Sequence, residues 1–209
     1  MGTFSGYLFG TIAKPRATFI RLCDDSRAQG QAAKAVMLIG ALYTLTVIGF
    51  AIAEMPISMP PWLALPAEGY YLREIFFALP VILLGWIFAA GVMQVCCRIL
   101  GGSGSFEGTM STLGFALTLP TFVTWLPESV GAALFLMGVT NPSEYLESAA
   151  RPGALQVFLN LYQVAAVGWM LVLVAIAASV SHSLRWWKAA IAGILGIVVF
   201  MGTMLVFIR

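Results

Sequence analysis

The chain has 209 residues, a net charge of +2, 60% hydrophobic and only 10% charged residues. A soluble domain carries about 25% charged residues, and the mean hydropathy of +0.93 leaves more apolar surface than a water-soluble fold of this size can hide. The same figures exclude a disordered chain, a collagen-like repeat and a basic nucleic-acid binder, and they point to an integral membrane protein with room for about five spans.

The leading residues 1–34 read as an amphipathic segment on a membrane surface. Phe4, Leu8 and Ile12 recur at helical spacing, Phe19, Ile20 and Leu22 follow Pro15, and basic residues interleave with them. The alternative is that these apolar residues cap one end of a helical bundle. Glycine interrupts the stretch from Tyr7 to Ala13, and Lys14-Pro15-Arg16 follows without a small-residue cleavage site, so a signal peptide is not expected. Gly6 stands where a myristoylation pattern wants Ser or Thr.

Five apolar runs then follow, at about 35–53, 75–97, 109–126, 154–180 and 187–208. Each is long enough to cross a bilayer as a helix, in which the backbone polar groups satisfy one another. Together they predict an all-α, polytopic five-helix bundle over residues 35–209. Pro80 and Pro120 lie inside the second and third runs, where a kink or a local opening is expected. Val130 to Val139 is apolar but too short to span. It reads as a short interfacial or re-entrant helix, with an extension of the third span past Pro127 as the alternative.

Orientation follows from Lys and Arg. Lys14, Arg16, Arg21, Arg27, Lys34, Arg98, Arg185 and Lys188 fall on one side, and Arg73, Arg151 and Arg209 on the other. Eight against three places the amino terminus in the cytoplasm and the carboxyl terminus outside. Arg16, Arg21, Arg185 and Lys188 are the candidate contacts for anionic lipid headgroups, each worth about 1 kcal/mol near such a surface. Trp186 and Trp187 fit an interfacial aromatic belt, as do Trp62, Tyr70 and Tyr71 on the other face.

No ionisable residue falls at the centre of a run, which weighs against an ion-coupled carrier. Asn160 and Gln163 share a helix face and either bridge two helices or, with Pro80 and Pro120, line a midplane cavity. Ala192/Gly196 and Ala175/Ser179 suit close helix packing. Glu54, Glu68, Glu74 and Glu128 sit near span ends, where they read as solvated loop residues sooner than as a cation site. The lone His182 has no carboxylate near it in sequence, and no catalytic or metal-binding arrangement emerges. Cys23, Cys96 and Cys97 show no disulfide or zinc spacing, and Gly101-Gly102-Ser103-Gly104 lacks the lysine of a phosphate loop. No cofactor is expected.

Three blocks, in order, resemble the Yip1 domain family of small five-span membrane proteins. They are Thr11-Ile12-Ala13-Lys14-Pro15-Arg16-Ala17-Thr18-Phe19 before the first span, Gly101-Gly102-Ser103-Gly104-Ser105-Phe106 with Pro120 beyond it, and Ser181-His182-Ser183-Leu184-Arg185-Trp186-Trp187-Lys188-Ala189 between the last two spans. The resemblance implies an all-helical five-span fold with a cytoplasmic amino terminus. Eukaryotic members act in vesicle trafficking with small Rab-type GTPases, through a longer leading region with an Asp-Leu-Tyr-Gly-Pro motif. That motif is absent here, and the chain is similar to the short prokaryotic members, which implies a bacterial inner membrane. The expected role is a non-enzymatic scaffold or adaptor binding lipids, a protein partner or a second copy of itself, with a small transporter or channel as the alternative.

Overall fold

Eight helices run through the computed structural model, which describes residues 2–57, 62 and 65–208, and no strand occurs among them. Two short helices, α1 (Phe4–Ala13) and α2 (Pro15–Asp24), precede the long ones. Thr3 opens α1 by accepting the Gly6 N–H, and Pro15 opens α2 at the first helical position, where its missing donor costs nothing. The long helices are α3 (Ala28–Ile52), α4 (Tyr70–Ile99), α5 (Phe106–Leu136), α7 (Ala154–His182) and α8 (Trp186–Phe207). All five are long and apolar enough to cross a membrane. The nine-residue α6 (Pro142–Ala150), capped by Asn141, fills the link between α5 and α7.

The five long helices coincide with the five apolar runs but start earlier or end later than them. α4 begins at Tyr70, so Arg73 and Glu74 are helical rather than part of a loop. The larger difference concerns Val130 to Val139. No separate interfacial helix forms there, because α5 continues without a break through Pro120 and Pro127 to Leu136. Proline 127 denies the Val123 carbonyl its helical donor. The Tyr162 hydroxyl of α7 replaces that donor at 2.6 Å, and Gln163 Nε2 donates to the neighbouring Thr124 carbonyl at 3.0 Å. A helix crosses a proline in lipid when a neighbouring helix satisfies the freed carbonyl, as α7 does here.

α3 packs on α5 and α4, α4 on α8, and α7 joins α5 to α8. Trp86 donates its indole N–H to the Met110 carbonyl, tying α4 to α5. The small face of α8 does the work expected of it: Gly196 lies against Ala89 and Met93 of α4, and Gly193 against Val174 and Ala175 of α7. At one end of the bundle sit α1, α2, the α4–α5 loop and the α7–α8 link, referred to below as the collar end. The other end, with the α3–α4 segment and α6, is the distal end. Arg209 lies outside the described residues.

The leading segment is partly buried in the bundle. Tyr7, Thr11, Thr18, Phe19 and Leu22 are buried, and the rings of Phe4 and Tyr7 pack on Phe115 of α5 at 6.2 and 5.8 Å. Phe9, Ile12 and Ile20 remain exposed on the outer face. Tyr7 and Thr11 are the fully buried positions of α1, with Phe4 and Leu8 partly buried beside them, while Ile12, which shares a sequence stripe with Phe4 and Leu8, points away. The Tyr7 hydroxyl also donates to Asp25 at 2.7 Å, latching α1 to the turn between α2 and α3. That hydrogen bond holds the Asp25 carboxyl below its usual range, helped by the Arg27 N–H, while burial and the Asp25 partner raise Tyr7.

Candidate functional site

The collar end is organised around His182. Ser183 takes a left-handed conformation (φ 55°) that ends α7 and turns the chain toward α8. This turn seats His182, fully enclosed, against the Gly101–Gly104 loop. Its Nδ1 accepts the Gly104 N–H at 3.2 Å and its Nε2 lies 2.8 Å from Thr109 Oγ1. An accepting Nδ1 requires the proton on Nε2, so Nε2 donates to Thr109 and the ring is neutral. Thr109 in turn donates to Gln94 Oε1 at 2.6 Å, and Gln94 Nε2 donates to the Gly104 carbonyl at 3.1 Å. The ring closes with the Ser103 N–H on the His182 carbonyl at 3.3 Å. Every polar group of the imidazole is thus committed to joining α4, α5 and α7. No acidic residue takes part in these hydrogen bonds, so the histidine lacks the orienting carboxylate of a catalytic pair.

The four basic candidates divide by geometry. Arg16 on α2 and Arg185, at the cap of α8, are exposed, as is Arg21, whose guanidinium also donates to Thr18 Oγ1 at 3.3 Å. Lys188 is half-buried, and its Nζ donates to the Leu100 carbonyl at 2.8 Å, where a cation meets the unsatisfied carbonyls and negative end of α4. Exposed apolar side chains stand among the cations: Phe9, Ile12, Ile20 and Trp186, the last 79% exposed. The collar end therefore presents cations beside apolar side chains on α2 (Arg16, Ile20, Arg21) and at the start of α8 (Arg185, Trp186), with Phe9 and Ile12 of α1 adding apolar surface alone.

Of the four residues expected around a midplane cavity, only Pro120 is buried, while Pro80 and Asn160 are exposed. Gln163 is half-buried and bridges α7 to α5 through its bond to Thr124. The structure does not gather the four into one place; it makes Tyr162 and Gln163 the partners of the carbonyls of Val123 and Thr124, one turn before Pro127.

A cavity of about 200 Å³ opens instead at the distal end, lined by Tyr43, Phe50, Tyr71, Tyr145, Glu128 and Gln163 among others. Tyr43 packs at a tilt on Trp125 at 4.1 Å and Phe50 on Tyr71 at 5.3 Å, and Tyr145 meets Phe135 edge-on at 5.6 Å. Behind Tyr43 lies Glu74, 0% exposed, whose Oε1 accepts the Tyr43 hydroxyl at 3.0 Å and whose Oε2 has no partner. Sequence reading treats Glu74 as a solvated residue at a span end, and the structure buries it. The available signal is Tyr70-Tyr71-x-x-Glu74: on a helix, Tyr71 and Glu74 share a face, and that face carries Tyr71 into the core. Glu128 stays accessible, and Glu54 and Glu68 line a separate opening between the ends of α3 and α4. Among the described residues no group of three His, Cys, Asp or Glu side chains stands close enough to hold a metal ion.

Searches of curated proteins and of solved structures each returned no match. The family model for the Yip1 domain, by contrast, matches residues 9–208, from within α1 to the end of the described chain. Five apolar helices in one bundle and a match over nearly the full length agree: this membrane protein belongs to the Yip1 domain family.

Proposed function

We propose that the protein is a non-enzymatic membrane scaffold of a bacterial inner membrane. Its collar end faces the cytoplasm, binds anionic lipid headgroups and offers the same face to a protein partner or a second copy of the chain. One observation carries this reading. Exposed Arg16, Arg21 and Arg185 share one end of the bundle with exposed Phe9, Ile12, Ile20 and Trp186, and buried Tyr7, Phe19 and Leu22 pin α1 and α2 there. A pinned collar holds its cations at one depth, so headgroup binding does not have to order a loose tail. Apolar side chains entering the headgroup boundary and arginines meeting phosphates are what an interfacial segment uses on an anionic leaflet.

The test compares spin-labelled phosphatidylglycerol with spin-labelled phosphatidylcholine around the full-length protein. The intact chain is expected to prefer the anionic lipid. Each of Arg16→Gln, Arg21→Gln and Arg185→Gln lowers the preference by up to about five-fold, the equivalent of about 1 kcal/mol per cation. Lys188→Gln acts differently, chiefly lowering stability, since its ammonium caps α4. Undiminished preference in the triple variant would remove the proposal.

A carrier is the second reading. The observation that favours it is Glu74, a carboxylate buried within a spanning helix beside an open cavity, as polar groups on transport paths are.

A further inference from the structure

The distal cavity combines one accessible carboxylate with a wall of aromatic side chains. Glu128 stands at the cavity wall, and Glu74, fully buried behind Tyr43, keeps one oxygen unpartnered. Among the described residues the one salt bridge is Arg151–Glu147, on α6, so neither carboxylate has a cation. Glu128, an accessible carboxylate with no ion-pair partner at the wall of an aromatic cavity, is placed to serve a bound cation.

The walls select the kind of cation. Calcium or magnesium takes six or more oxygen ligands, whereas one accessible carboxylate and one amide are surrounded here by four aromatic rings. Aromatic rings beside a carboxylate favour an ammonium group, whose charge is spread over an alkyl or N–H surface that a ring face attracts. The volume of about 200 Å³ is below the roughly 300–1,000 Å³ of drug-sized sites, which limits the occupant to a small head group.

We propose that the distal cavity binds a small organic ammonium group. Glu128 is its counter-ion, and Tyr43, Phe50, Tyr71 and Tyr145 form the cage around it. Glu74 is a positioning residue. By accepting the Tyr43 hydroxyl it fixes that ring in the wall. The ammonium is either free in the water on the distal side or the ethanolamine or choline head of a lipid in the adjoining leaflet. The inference stands apart from the scaffold reading, which concerns the other end of the bundle.

The test places the full-length protein in nanodiscs of phosphatidylglycerol alone, which lack any ammonium headgroup, and follows its melting temperature as choline is added. Choline is expected to raise it saturably, because a ligand that binds only the folded state stabilises it. The neutral isostere 3,3-dimethyl-1-butanol and an equal concentration of sodium chloride should not. Glu128→Gln is expected to weaken choline binding at least ten-fold. Tyr145→Leu, on the peripheral α6, should weaken it several-fold and keeps the test decisive if the first variant does not fold. Discs containing phosphatidylethanolamine or phosphatidylcholine separate the two sources. A lipid headgroup raises the starting melting temperature and abolishes the choline effect, whereas a free ammonium leaves that effect unchanged in all discs. Absence of both a choline and a lipid effect, an equal effect of the isostere or salt, or full binding by both variants would overturn the proposal.

Discussion

Replacing Gly104 by alanine is expected to cost about 3–5 kcal/mol and to lower the melting temperature by roughly 10 °C. A Cβ at this position overlaps the Ser181 carbonyl, which is backbone on the last turn of α7, and approaches the His182 ring. Neither neighbour is the tip of a flexible side chain, so the loop itself must move. Moving it withdraws the Gly104 N–H from His182 Nδ1 and the Gly104 carbonyl from Gln94. Overpacking costs about 1–3 kcal/mol and each of the two hydrogen bonds withdrawn about 1 kcal/mol. Gly168→Ala on α7 is the control, since nothing lies within 4 Å of its added Cβ. There the exchange is neutral or gains up to about 1 kcal/mol of helix propensity. Thermal unfolding of the two variants in one lipid preparation checks the pair, and similar melting temperatures would contradict the close junction at the collar end.

The second large effect belongs to Tyr162. Removing its hydroxyl as Tyr162→Phe leaves the Val123 carbonyl unpaired within a spanning helix, and about 1–2 kcal/mol of stability is expected to go with it. Pro127→Ala supplies the decisive comparison. An alanine at 127 restores the helical N–H to Val123, so the hydroxyl becomes redundant and Tyr162→Phe should cost little in that background. The double-mutant cycle then returns an interaction energy of about 1 kcal/mol between two residues on different helices. Additive losses would mean that Tyr162 contributes by packing alone.

This proline also marks where sequence reading stops. The five apolar runs locate the spanning helices because lipid imposes a one-dimensional rule on each segment by itself. Whether α5 ends near Pro127 depends on Tyr162 and Gln163, which lie more than thirty residues away in sequence. No property of the segment around Val130 reveals that partner. The leading segment fails for a related reason. Its apolar residues are visible and Phe4 and Leu8 pack inward, but Ile12 at the end of that stripe is exposed, and the fully buried positions are Tyr7, against Phe115 of α5, and Thr11. Glu74 shows the limit most sharply. Beside Arg73 at the edge of an apolar run it has the look of a loop residue, and its burial follows from Tyr43, one phenol in the middle of a different helix. The Gly-rich loop and His182 were legible as a pair of blocks with a family likeness. Their hydrogen bonds to each other were not, since spacing says nothing of how two links meet.

The placement of the collar on the cytoplasmic leaflet underlies the functional proposal, and Cys23 reports on it most directly. This thiol is exposed on α2, whereas Cys97 is buried in α4 and Cys96 half-buried. Its partly desolvated setting and the Asp24 charge push the Cys23 thiol up, so labelling with a membrane-impermeant maleimide is done at mildly alkaline pH. Inside-out vesicles from the native membrane are expected to label at Cys23 and right-side-out vesicles are not, with Cys23→Ser as the blank. Labelling of Cys23 in intact right-side-out vesicles would put the collar on the outer face and contradict a cytoplasmic scaffold.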